Sequence, residues 1–194
     1  MGETMPYDLT SAADTIAALL PGVTNNDLDA RTPCPDYAVR DLLFHLIGLS
    51  VAFRDAARKD LGPTTGTPPG TITTDLPDEW RIILPARLTD VAKAWRDPAA
   101  WQGMTQAGGI DLPGAVAGQV ALNELTVHGW DLARATGQPY RPTEESLRGS
   151  YELMLPAAES GGMFGPPVAV PDDAPLVDRV VGLSGRDPAW PAQT

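Results

Sequence analysis

The chain has only two histidines, His45 and His128, and a carboxylate, Glu124, stands four residues before the second. On a helix, residues at i and i+4 lie one above the other on the same face. A carboxylate and an imidazole so placed can converge on one cation, or simply hydrogen-bond to each other. An unpaired Glu124 inside a fold would be very costly, so it must find a cation, a proton or hydrogen bonds. Two histidines and a carboxylate, with positions left open, form a recurrent catalytic arrangement for zinc. The same set holds non-haem Fe(II), and ligand identity alone separates first-row metals poorly. Spacing equally allows a Glu124–His128 hydrogen bond within one helix, with His45 satisfied separately.

For the three side chains to meet, two helices must aim them at one another. The apolar pattern predicts one helix from about Val39 to Arg58. Taking about 100° per residue, the face around His45 holds Asp41, Leu42, Gly48, Leu49, Ala52 and Ala56, so His45 points inward. Asp41, one turn earlier, can orient the His45 ring or favour the positive end of the helix dipole. A second long helix is predicted from about Pro113 to Thr136, with Gly137 as its stop. The face around His128 holds Ala117, Ala121, Glu124, Leu125, Asp131, Leu132 and Ala135. Three alanines around three ionisable groups imply helices packed closely about a small polar pocket. Trp130 points the other way and is expected to pack on another element. Asn123 and Arg134 share that far side, where a solvated position is expected.

Further helices are expected from Asp8 to Leu20, from near Pro77 to Asp97, and from Thr143 through Leu155. Pro85 inside the second of these removes a backbone donor, so a kink or a later start is expected. Thr32-Pro-Cys-Pro35 reads as a rigid link, because residues before proline avoid the helical region. Cys34 within it is expected to be a buried packing residue. The Gly62–Asp75 stretch reads as loop, Phe164–Val170 as an extended segment and Asp178–Leu183 as a short final helix. Long helices joined by loops predict a mainly all-α fold, a four-helix bundle. One domain is expected over residues 1–194, with the bundle at about 8–158. A loop-rich C-terminal extension with a short strand and helix follows at about 159–194.

The formal net charge is -11 with no run of Lys and Arg. That argues against nucleic acid and anionic membranes as partners, since both select a basic footprint. No apolar run approaches the roughly 20 residues of a membrane span. The single cysteine allows no intrachain disulfide, and the N-terminus lacks the pattern of a signal peptide. A cytoplasmic protein acting on a small molecule, as a monomer or homodimer, is the expectation.

The wording of the sequence adds a resemblance. Thr32-Pro-Cys-Pro-Asp-Tyr37 and Val39-Arg-Asp-Leu-Leu-Phe-His-Leu-Ile-Gly48 resemble the first signature of the DinB-like metal-binding superfamily, which includes the N-terminal domain of mycothiol-dependent maleylpyruvate isomerases. The run from Glu124 to Gly137, Glu-Leu-Thr-Val-His-Gly-Trp-Asp-Leu-Ala-Arg-Ala-Thr-Gly, is similar to its second signature. Phe164-Gly-Pro-Pro-Val, Asp172-Asp-Ala-Pro and Gly185-Arg-Asp-Pro resemble a C-terminal pattern of its small single-domain branch. There are departures: Tyr37 stands where tryptophan is usual, Ala38 replaces a capping Thr or Asp, and Leu49-Ser50 replaces Gly-Asn.

The resemblance implies a four-helix bundle holding a divalent metal, by analogy zinc, on His45, Glu124 and His128. It also implies mycothiol or a similar small thiol as cosubstrate. The metal's open position would keep that thiol ionised for attack on a small electrophile, giving an isomerase or a transferase. Asp131, one turn beyond His128, is then the candidate catalytic residue, orienting that ring or carrying a proton; a helix-packing carboxylate is the alternative. The isomerases have a further C-terminal domain, which this chain is expected to be too short to include. A non-catalytic metal or small-molecule carrier or resistance protein, and a metal-free pocket doing proton transfer, stay open beside the enzyme.

Overall fold

The two histidines sit on the two longest helices of a computed structural model, which describes residues 6–68, 75–159 and 166–191. These helices, α2 (Val39–Arg58) and α5 (Gly114–Ala135), pack directly against each other. Helices α1 (Thr10–Leu19) and α4 (Trp80–Ala94) complete a four-helix bundle, each touching α5 or α2. Its core runs from Leu9, Ile16 and Leu19 through Leu42, Leu46, Leu84 and Leu88 to Leu122, Leu125 and Leu132. This is the four-helix bundle that the periodicity predicts.

Local chemistry sets the helix ends. Asp8 accepts from the Thr10 N–H at 2.9 Å, satisfying a donor that the first turn of α1 leaves free. Before α2, the Thr32 hydroxyl bonds the carbonyls of Cys34 and Tyr37, at 2.9 and 2.8 Å, which folds the proline link tightly. Cys34 is buried there, as expected, and burial pushes its thiol pKa up. Ala38 has no capping side chain, so Asp41 takes over and accepts the Ala38 N–H at 2.9 Å.

Several expectations are corrected. The third long helix, α4, starts at Trp80 rather than near Pro77, and it continues through Pro85. The short helix α3 (Pro63–Gly66) lies inside the predicted loop, of which residues 69–74 fall outside the described residues. The segment before α5 is not a simple turn but a hairpin, β1 (Met104–Ala107) against β2 (Ile110–Pro113), antiparallel with Ala107 opposite Ile110. Gly108 and Gly109 both have positive φ, 59° and 78°, and make the two-residue connection that matches strand twist. A side chain at Gly109 would also come within 2.9 Å of the Gly66 carbonyl.

The expected C-terminal strand does not form among the described residues. Of the Phe164–Val170 segment, 164 and 165 lie outside them; Pro166 and Pro167 lack donors, and Val168 bonds the carbonyl of Gly182 on a helix, at 2.9 Å. That helix is α7 (Leu176–Leu183), which packs on α6 (Glu144–Glu159), which in turn covers α5. Val127, Leu147, Met154 and Val180 form a small second cluster there.

This cover changes the far face of α5. Asn123 is buried rather than solvated, and Arg134 donates to the carbonyls of Pro188 and Trp190 while lying 5.6 Å over the Trp130 ring. Trp130 is buried between elements, as expected. An amphipathic reading of α5 fails because α6 and the C-terminal segment wrap its second face.

Candidate metal centre

Packing of α2 on α5 brings His45, Glu124 and His128 together, with one ligand atom from each within 4.8 Å of the others. The two imidazoles reach the same carboxylate oxygen, Glu124 Oε2: His45 Nε2 at 3.4 Å and His128 Nε2 at 3.3 Å. Their rings stand edge to face, centroids 4.9 Å apart. His128 is buried, whereas the Glu124 and His45 side chains keep 21% and 17% exposure, so the cluster is open on one side.

The separations can be set beside two chemistries. A charge-assisted hydrogen bond between imidazolium and carboxylate closes to about 2.7–2.9 Å. Two donors each about 2.0–2.1 Å from a tetrahedral cation stand about 3.3–3.4 Å apart. Both observed distances are close to the second spacing, and all three donors lie within 4.8 Å of one another. The donor set, two imidazole nitrogens and a carboxylate oxygen, is also one that zinc and Fe(II) accept. The residues therefore fit a divalent metal.

Outer partners hold each ring. His128 Nδ1 lies 2.9 Å from Asp131 Oδ2, and the same oxygen accepts from Arg186 Nη2 at 3.0 Å. Arg186 Nε reaches the other carboxylate oxygen at 3.3 Å, and Nη1 donates to the Ser184 carbonyl at 2.9 Å. Asp131 is fully buried, and the Arg186 side chain keeps 11% exposure. On the other ring, His45 Nδ1 lies 3.3 Å from the Tyr37 hydroxyl, whose pKa burial raises. Asp41, one possible orienter of His45, is instead exposed and spent on the Ala38 N–H. Ser50 is buried with its hydroxyl on the Leu46 carbonyl, so this departure from the signature puts no free polar group into the cluster.

Sequence reasoning placed Asp131 one turn from His128, and the structure puts the two in hydrogen-bond contact. It missed Arg186 and Tyr37 as members of the cluster. The signal for Arg186 was present in Gly185-Arg-Asp-Pro, but periodicity cannot say where a segment some fifty residues downstream docks. Tyr37 sits just before α2, outside any helical face count.

Burial alone would raise the Glu124 pKa, but the two imidazoles overcome it and hold the carboxylate well below its ordinary range. Burial alone would lower His128; its bonds to Asp131 and Glu124 win, and its pKa rises from 6.5 to about 9. The sign follows directly: a raised histidine pKa stabilises the metal-free fold fully below pH 6.5, and that contribution is lost as pH climbs through about 9. A metal, by contrast, must displace the proton. Chelated protein is therefore expected to melt lower at pH 9.5 than at pH 6, while zinc affinity rises over the same interval. Parallel melting curves and competition titrations across that range check both, and an affinity that does not rise with pH contradicts the assignment of His128.

Comparison with known proteins agrees with this architecture. The family described as the mycothiol maleylpyruvate isomerase N-terminal domain matches residues 9–133. The chain belongs to that family. An uncharacterized protein of Mycobacterium tuberculosis, found in strains CDC 1551 / Oshkosh and H37Rv, is 28% identical over 184 residues, covering 90% of this chain and 93% of its own. The crystal structure of the mycothiol-dependent maleylpyruvate isomerase superposes with a TM-score of 0.67 at 18% identity, over 94% of this chain and 90% of that one. A histidine-to-alanine variant of that isomerase superposes with a TM-score of 0.62 at 19% identity, over 96% and 80%. The superposition thus covers more of this chain than the residues 9–133 that the family matches. No helix among the described residues is long and apolar enough to cross a membrane.

Proposed function

We propose that this protein binds one divalent metal, zinc, on His45, Glu124 and His128, and uses it to present mycothiol or a similar small thiol to an electrophilic small molecule. The observation that carries the reading is the convergence of two imidazole nitrogens and a carboxylate oxygen within 4.8 Å, with both nitrogens 3.3 and 3.4 Å from one Glu124 oxygen, close to the donor spacing about a tetrahedral cation. Family membership and the isomerase's fold support the thiol half of it.

A divalent cation held there supplies a positive centre that keeps a coordinated thiol deprotonated at neutral pH. The chain's own residues do the rest. Glu124 brings a negative charge that neutralises part of the cation. Asp131 accepts from His128 Nδ1–H, which leaves the Nε2 lone pair facing the cluster. Arg186 pairs with the same Asp131 carboxylate at 3.0 Å and holds it in place against the ring. The exposed edges of Glu124 and His45 leave an approach for thiol and substrate. Addition of the thiol's sulfur to an electrophilic carbon, rotation and elimination would give an isomer; retention of the carbon–sulfur bond would give a thioether.

Metal analysis of protein purified under metal-replete conditions, followed by calorimetric titration with mycothiol, tests this directly. The expected result is about one zinc per chain and saturable thiol binding that chelation abolishes. Near-zero zinc, iron, nickel and manganese would sink the whole reading. Zinc without thiol binding would remove the thiol half, and saturable binding without turnover on any electrophile would favour a carrier or resistance protein.

A further inference from the structure

The metal reading leaves one ring nitrogen to account for. If His45 offers Nε2 to the cluster, its Nδ1 must carry the proton and needs an acceptor. Asp131 does that duty for His128, and a buried carboxylate is a strong acceptor. Among the described residues, His45 Nδ1 has no carboxylate within hydrogen-bond distance. Its neighbour there is the Tyr37 hydroxyl, 3.3 Å away, with the phenol ring 5.1 Å from the His45 ring centroid and tilted by 35°. The same phenol ring lies 6.1 Å from the His128 ring. Tyr37 thus lies beside both imidazoles.

What fixes Tyr37 is local and independent of the cluster. Its carbonyl accepts from the buried Thr32 hydroxyl at 2.8 Å, and its N–H donates to the Cys34 carbonyl at 3.2 Å. Arg31 and Ala38 pair as an isolated bridge around the link. The backbone of Tyr37 is therefore held by the proline link before any metal arrives, and the ring is delivered to His45 as part of that link.

We infer that Tyr37 is a positioning residue, its hydroxyl oxygen accepting the His45 Nδ1–H and so committing His45 to the tautomer that presents Nε2 to the metal. This rests on the proposed metal centre and assigns a task within it. The phenol acts through His45. Two substitutions separate its hydroxyl from its bulk. Tyr37→Phe keeps the ring and loses the acceptor. Tyr37→Trp keeps an aromatic cover but offers only an N–H donor.

Because the chain has two histidines, ¹⁵N–¹H correlation spectra of the zinc-loaded protein are simple, and through-bond correlations from each ring to its own backbone assign them. Wild type is expected to show His45 with Nδ1 protonated and Nε2 bound, and a slowly exchanging Nδ1–H. Both variants should fold with unchanged circular dichroism, bind zinc about 10–100-fold more weakly in chelator competition, and show faster Nδ1–H exchange. Equal zinc affinity and unchanged exchange in both variants overturn the inference while leaving the metal centre intact, as does a His45 bound through Nδ1. A wild-type protein that binds no zinc overturns both.

Discussion

His128→Ala is expected to abolish zinc retention, taking the metal content from about one per chain to background, and His45→Ala and Glu124→Ala should do the same. Losing a ligand must cost more than the about 10–100-fold lost with an outer partner. Stability gives a second readout. Zinc at 100 times its dissociation constant should stabilise wild type by about 2.7 kcal/mol, and all three variants should lose that increment. The competing arrangement, a hydrogen-bonded trio with no metal, predicts the reverse pattern. Chelation would then leave wild-type melting unchanged, and each substitution would destabilise the chelated protein by leaving a polar group unpaired. The three variants must also agree with one another. If one histidine proves dispensable for zinc, the centre is not the one that α2 and α5 jointly build.

That joint construction explains how far the sequence could be read. Periodicity finds which side of a helix faces inward, and on α2 and α5 it places His45, Glu124 and His128 inward, where the structure brings them together. It works because each of these faces meets the other across a bundle core, and the 3.6-residue repeat is set by that contact. The same method misplaces Asn123 and Arg134, since α5 is wrapped on both sides and a doubly buried helix has no solvent face to read. The hairpin from Met104 to Pro113 carries its signal in Gly108-Gly109, but four-residue strands are too short for alternation to stand out. Tyr37 and Arg186 come to the cluster from a link and a chain end. Their placement depends on docking, which no local repeat encodes.

Asp131→Asn is expected to destabilise the chelated protein by about 3–5 kcal/mol, as breaking a buried ion pair by removing one partner does. The amide still fits the space and can accept from His128, but Arg186, with 11% exposure, is left a buried cation without its counter-charge. Arg186→Met should behave differently. It leaves Asp131, with no exposure at all, facing only His128. The imidazole must then stay protonated to balance the carboxylate, and that proton competes with the metal. Zinc affinity of Arg186→Met should therefore fall at pH 7 and recover as pH rises, whereas the deficit in Asp131→Asn should not recover. The double variant removes both charges together and should cost clearly less than the two single losses summed, a coupling within the 0.5–3 kcal/mol range of groups in direct contact. Urea unfolding of the four proteins with chelator measures it. Additivity within about 0.5 kcal/mol would mean that Arg186 and Asp131 act separately, and the C-terminal segment would then have no hold on the orientation of His128.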